Sequence, residues 1–179
     1  MTKIFLLAIA VVLLFSANSY AQKKESGVPV AAVDIKKVMK EMPEYAEAEK
    51  KLQETGQKYQ DTLLQMKQDL EARLKQYEKQ KSLMDADKQK KEEEALQSAN
   101  MQMMQYREQI FGQQGDLLKF QMMLLEPIQD KLLKTIREVA KEENISLVVD
   151  KSNSSSVLYV EEKLDITFKI LDRMKRNTK

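Results

Sequence analysis

Apolar residues in this chain recur at every seventh position over two long stretches. In the first, Tyr45, Leu52, Tyr59 and Met66 form one row, and Leu63, Leu70, Tyr77 and Met84 form a second. In the other, Leu96, Met103, Ile110, Leu117 and Leu124 repeat at the same interval, accompanied by Ala99, Tyr106 and Phe120. Arg73 and Gln80 interrupt the outgoing pattern, and Gln113 interrupts the returning one. Rows of this kind make a narrow apolar seam on a helix, which is buried by pairing with another helix. Between the two stretches, Met84-Asp85-Ala86-Asp87 is the one plausible turn, with an Asp to cap the returning helix. The pattern predicts an antiparallel coiled-coil hairpin over residues 43–143. Its outgoing arm, Pro43 to Met84, reaches about 60 Å at ~1.5 Å per residue.

Shorter elements flank the hairpin. Val28 to Val33 is β-branched and apolar, which predicts a strand, and Asp34 then caps a brief helix, Ile35 to Glu41. Pro43, followed by Glu44 and Glu47, suits the positive end of a long helix. The returning helix is expected to run to about Glu143, with Pro127 as a kink or a restart. Leu147 to Asp150 predicts a second strand, Ser152 to Ser156 a turn and Val157 to Val160 a third strand. Asp165 caps a last amphipathic helix, Ile166 to Met174. The fold class is therefore mainly α with a small β base. Residues 22–42 and 144–179 form a β-rich body, and residues 43–143 form an arm that projects from it.

Folding the hairpin about residue 86 sets Pro43 level with Pro127, and Gly56 level with Gly112 and Gly115. Two explanations of the glycine level stand side by side. Gly56, Gly112 and Gly115 allow close packing of two helices, or they mark a hinge, since Gly costs about 1 kcal/mol of helix propensity at each position.

The returning helix carries a further apolar row: Met104, Phe111, Leu118 and Leu125, with Met101 and Met122 beside it. At ~100° per residue this row lies roughly 150° round the helix from the seam, so the same hairpin cannot bury it. Between Ala95 and Leu125 the only charges are Arg107, Glu108, Asp116 and Lys119. Such a stripe meets another chain, a lipid or a client, or it is a subunit contact near the base of the arm. Methionine suits a surface that accepts many shapes. Met101, Met104, Phe111, Leu118 and Met122 are the candidate contact residues.

Composition narrows the function. Met1-Thr2-Lys3, the apolar run Ile4 to Phe15 and Ser19-Tyr20-Ala21 have the form of a cleaved export signal, residues 1–21. The run is short of the ~20 residues a membrane-spanning helix needs. An exported chain works where ATP is absent. Its 179 residues carry a net charge of +2, which falls to +1 when Lys3 leaves with the signal, so no field points to nucleic acid. With no Cys there is no disulfide scaffold, and with neither Cys nor His the usual bases, nucleophiles and soft metal ligands are missing. The four glycines form no phosphate-cradling loop. Glu92-Glu93-Glu94 point different ways on a helix and follow Lys88, Lys90 and Lys91, which fits a solvated face. No catalytic residue, metal or cofactor is expected. Asn144-Ile145-Ser146 and Asn153-Ser154-Ser155 fit the glycosylation sequon, a pattern frequent by chance.

A body of three short strands and one small helix buries too little apolar surface to hold two long helices by itself. Self-association is the economical answer, with Val30, Val33, Leu147, Val149, Val157, Ile166 and Ile170 as candidate oligomerisation residues.

The order of the pieces resembles the Skp/OmpH family of periplasmic chaperones. The resemblance rests on a strand ending in Asp34, a helical hairpin, Ile145-Ser146-Leu147-Val148-Val149-Asp150, then Asp165-Ile166-Thr167, Ile170-Leu171 and Lys175. It implies a homotrimer joined through β-rich bases, with three helical arms round a cavity. It also implies an ATP-independent holdase of a Gram-negative-type periplasm whose partners are unfolded outer-membrane β-barrel proteins. One departure is electrostatic. Family arms are often strongly basic, whereas Glu44 to Lys81 contains eight acidic and eight basic residues, which leaves contact with a membrane surface open. The opposing reading is a structural coiled coil that bridges fixed envelope partners.

Overall fold

A computed structural model of the chain describes residues 27–152 and 157–177. The expected export signal at 1–21, the Asn153-Ser154-Ser155 sequon and the centre of the turn at 152–156 lie outside those residues. Strand β1 (Val30–Val33) ends at Asp34, whose carboxylate accepts the Lys37 N–H at 2.8 Å and caps helix α1 (Ile35–Lys40). Pro43 then opens helix α2 (Pro43–Gln80), an unbroken helix of 38 residues with Glu44 in its first turn. A 3₁₀ turn at Lys81–Leu83 reverses the chain. Asp85 accepts the Lys88 N–H at 2.8 Å and caps helix α3 (Ala86–Phe111). Gln89 secures the same turn, donating its side-chain amide to the carbonyl oxygens of Lys81 and Met84.

The returning limb is two helices. After α3 the chain breaks at Gly112–Gly115 and resumes as α4 (Asp116–Glu142), which passes through Pro127 without ending. The expected restart at Pro127 is therefore corrected: the interruption lies twelve to fifteen residues earlier. An interior proline costs a helix about 3 kcal/mol, but here apolar packing on both sides, by Leu124, Ile128 and Leu132, outweighs it. At 112–115 two glycines frame two glutamines and nothing comparable holds the helix together. The far end of α4 closes at Asn144, which adopts φ 54°, a left-handed conformation that asparagine tolerates. The following Ile145 N–H donates to Ala140 at 2.8 Å.

Strand β2 (Leu147–Asp150) pairs parallel with β1, Val30 opposite Leu147 and Val33 opposite Asp150. Parallel neighbours need a long crossover, and here the entire helical hairpin serves as one. The third strand expected at Val157 to Val160 is not formed: those residues are irregular. Its place beside β1 is taken by a single parallel bridge, Ala32 to Asp165, and the Ile166 N–H donates to Ala32 at 2.9 Å. A run of four apolar residues has strand propensity, but Leu158 and Tyr159 point into solvent, at 96% and 80% exposure, with no partner strand among the described residues. Helix α5 (Thr167–Asn177) follows.

The core sits where the arm meets the sheet. Val33 of β1, Val38 of α1, Leu132 and Ile136 of α4, and Ile166, Ile170 and Met174 around α5 close it, together with Met42 and Ala48 at the foot of α2.

Candidate functional site

The seam residues occupy the interface expected of them. Ile110 and Tyr77 are buried, and the other members of the heptad rows are half-buried along arms otherwise exposed. Pairing has the anticipated level. Glu44 at the foot of α2 forms an ion pair with Lys131 of α4 at 2.5 Å, and Gly56 lies against the side chain of Leu117. The hydrogen bond from Lys131 is the main cause that holds the Glu44 carboxyl below its ordinary pKa. At the tip, Tyr77 donates its hydroxyl to Glu93, and Lys81 lies 3.2 Å from the same carboxylate. The hydrogen bond to Glu93 raises the Tyr77 phenol, and it also lowers the Glu93 carboxyl.

The three glycines are not equivalent. A methyl group on Gly56 would meet Leu117 at 3.9 Å, an ordinary contact. A Cβ on Gly112 would stand 2.4 Å from the Glu108 carbonyl oxygen, and one on Gly115 would stand 2.4 Å from that of Ile110. The latter two positions are close approaches of the backbone to itself within the break. The break is tied across by side chains: Gln109 of α3 donates to Asp116 of α4 at 3.1 Å, and Lys119 reaches the same carboxylate at 3.2 Å. The Gln109 hydrogen bond, followed by that from Lys119, lowers the Asp116 carboxyl.

The second stripe crosses this break. Met101 and Met104 lie on α3, and Leu118 and Met122 on α4, exposed by 51%, 61%, 42% and 64%. Phe111, at the end of α3, is half-buried, and Leu125 packs against the body core. Five apolar residues of the hairpin outside the expected row are exposed as well: Met123 beside Met122 and Leu133 on α4, Leu64 and Leu74 on α2, and Leu83 in the turn. Leu64 was legible as the second residue of the Leu63-Leu64 doublet, since one of two adjacent leucines on a helix must leave the seam. It borders a groove of about 350 Å³ between α2 and α3, floored by Leu63, Leu64, Met103 and Met104 and flanked by Lys67 and Arg107.

The candidate oligomerisation residues divide. Val33, Ile166 and Ile170 are buried inside the chain's own core, so their apolar character is already accounted for within one subunit. Val30 and Leu147, paired at the start of the sheet, are exposed, and Val149 and Val157 are half-buried. A polar network fixes the sheet to α5. Asp165 accepts from Lys151 and from the Thr167 N–H and hydroxyl, while the Asp34 N–H donates to the Thr167 oxygen at 2.9 Å. Burial alone would raise the Asp165 carboxyl, but the hydrogen bonds from Lys151 and Thr167 outweigh it and hold the pKa below the usual range. Asp150 has the same balance: burial raises it, and Ser152 and the Ile35 N–H lower it further. Among the described residues no buried side-chain nitrogen or oxygen lacks a partner, no acidic cluster could hold a metal, and no helix is long and apolar enough to cross a membrane.

Comparison with known proteins agrees with this architecture. The sequence model of the OmpH-like outer membrane protein family matches residues 29–174. A solved structure from Caulobacter crescentus CB15, described as an outer membrane chaperone (OmpH-like), superimposes with a TM-score of 0.69 at 14% identity. The match covers 84% of this chain and 86% of that one. No curated protein matches the sequence.

Proposed function

This chain belongs to the OmpH-like family of outer membrane proteins, and we propose that it acts in the periplasm as an ATP-independent holdase for unfolded envelope proteins. The observation that carries the reading is the stripe on the returning limb. Met101, Met104, Leu118 and Met122 form an exposed apolar surface, whereas the residues of the hairpin's seam are buried or half-buried against one another. A folded partner would select shape; a row of flexible thioethers flanked by Gln102, Gln105 and Gln109 selects apolar character and stays wet when empty. Each large side chain contributes at most ~1.5–3 kcal/mol when fully buried, so binding by such a surface is the sum of many weak contacts. The form of residues 1–21 supports export, and the exposed Val30, Leu147, Leu158 and Tyr159 support assembly of subunits through the body, with the homotrimer being what the family resemblance implies.

The test is suppression of aggregation of a urea-diluted β-barrel protein, with the mass of the chaperone measured alone and with its client. Met101→Gln, Met104→Gln and Met122→Gln together are expected to preserve mass and helix content while weakening protection. Added salt should have the smaller effect, because the outgoing arm carries equal numbers of opposite charges. Full protection by the triple variant would show that clients bind elsewhere. Loss of the assembly would make the stripe a subunit contact.

A further inference from the structure

The groove beside the stripe has a chemistry of its own. Its floor, made by Leu63, Leu64, Met103 and Met104, is apolar, and the two charged side chains that border it, Lys67 and Arg107, are both cations. No carboxylate lines it. The acidic residues nearest in sequence are held elsewhere. Asp61 accepts from Gln57 at 2.8 Å, Asp69 accepts from Gln65 at 2.9 Å, and the Glu108 carboxylate lies back against Gly112, one turn on. Glu71 is 3.8 Å from the Lys67 ammonium, but both groups are more than half exposed, and an exposed pair of that kind contributes little. On an arm whose outgoing stretch, Glu44 to Lys81, carries eight acidic and eight basic residues, this is a local concentration of positive charge over an apolar floor.

We propose that this groove selects polypeptide segments in which a large apolar side chain stands within one or two residues of a carboxylate. The apolar side chain would lie on Leu64 and Met104, whose exposed faces it would cover. The carboxylate would then reach Arg107, whose planar guanidinium can hold both of its oxygens, with Lys67 adding attraction as a point charge. About 350 Å³ is at the small end of ligand sites, which suits one side chain and its flanking backbone rather than a folded element. This rests on the holdase reading and adds to it a preference among client segments: acidic-apolar over neutral or basic-apolar.

Fluorescence anisotropy with the full mature protein tests it, using labelled twelve-residue peptides that carry one Phe flanked by Asp, by Asn or by Lys. The Asp peptide is expected to bind roughly three- to tenfold more tightly than the Asn peptide, and the Lys peptide least well, with the differences shrinking in high salt. Lys67→Gln with Arg107→Gln should bring the Asp and Asn peptides to the same affinity. Leu64→Gln, at a position already more than half exposed, should weaken both peptides and keep their ratio. Equal binding by the wild type, or a preference that survives the loss of both cations, would overturn the proposal. So would a change of assembly mass in Leu64→Gln, which would make the groove a contact with a second copy. Aggregation suppression measured on the same preparations separates the two levels. Protection without an acid preference removes the groove alone, whereas no protection by the wild type removes the holdase reading beneath it.

Discussion

Gly56 of α2 packs on Leu117 of α4, the second residue after the break in the returning limb, with 3.9 Å between the leucine methyl and the place a Cβ would take. The contact joins an unbroken helix to a broken one at the same height along the arm. It puts the glycine level under the middle of the exposed stripe.

The glycines should therefore respond differently to alanine. Gly56→Ala has room and removes a helix-interior glycine, so it is expected to raise stability by up to about 1 kcal/mol. Gly112→Ala and Gly115→Ala each push a Cβ onto a backbone carbonyl and are expected to destabilise the arm. Urea denaturation of the three single variants checks this. If the level is also a hinge, spin labels near Asp85 on different subunits should report a changed distribution of tip distances in Gly115→Ala; the same distribution with lower stability would leave packing as the whole account.

The body stands on α5. Ile170 is fully buried where that helix meets α1 and α4, so Ile170→Ala is expected to cost roughly 2–5 kcal/mol in denaturant unfolding. Removal of Asp165 to Lys179 takes away Ile166, Ile170 and Met174 together, and is expected to abolish folding of the body and any assembly with it. A stable, well-folded shortened chain would show that the remaining core suffices.

Acid should loosen the body before alkali does. Asp165 and Asp150 have folded pKa values below their unfolded ones, so their contribution is complete above about pH 4 and is lost as the pH falls through the folded values. Asp165→Asn is expected to reduce stability at neutral pH and to flatten its decline in acid. Thermal melts of wild type and variant between neutral pH and pH 3 provide the comparison, and parallel declines would place the acid-sensitive groups elsewhere.

At the tip, Tyr77→Phe removes the hydroxyl that binds Glu93 while leaving the ring in the seam. Amide exchange is expected to quicken from Tyr77 to Leu96 and to stay unchanged in α5 and the sheet, since of α2 and α3 only the foot of α2 packs into the body core. The raised Tyr77 pKa carries its own sign: the bond's stabilisation holds below about pH 10 and is lost above it, as the phenol ionises. Exchange that rose equally in the body would mean that arm and body unfold as one unit.

Much of the fold was legible because its rules are local. A seven-residue period specifies a seam, Asp34 and Asp85 cap the helices that follow them, and Pro43 suits a first turn. The exposed stripe was legible for the same reason, being a second period on a helix whose first face was already committed. What failed was a choice between competing local signals. Pro127 and the Gly112–Gly115 pair are both helix breakers, and which of them acts depends on the packing across each, which is a property of distant residues.

The sequence alone determined that two helices pair antiparallel, where they turn and which apolar row they leave over, because these follow from the angular step of one residue to the next. Tertiary structure decided the rest. It made the whole hairpin a crossover between two parallel strands, and it left Val157 to Val160 without the partner strand that their propensity needs. It buried Val33, Ile166 and Ile170 within the chain and left Val30 and Leu147 outside, although all five look alike in sequence. It also brought Leu63 and Leu64 together with Met103 and Met104 in one groove bordered by two cations. Burial and strand pairing are set by what lies across the gap, and α5, which closes the core on β1 and α1, is more than a hundred residues along the chain from either of them.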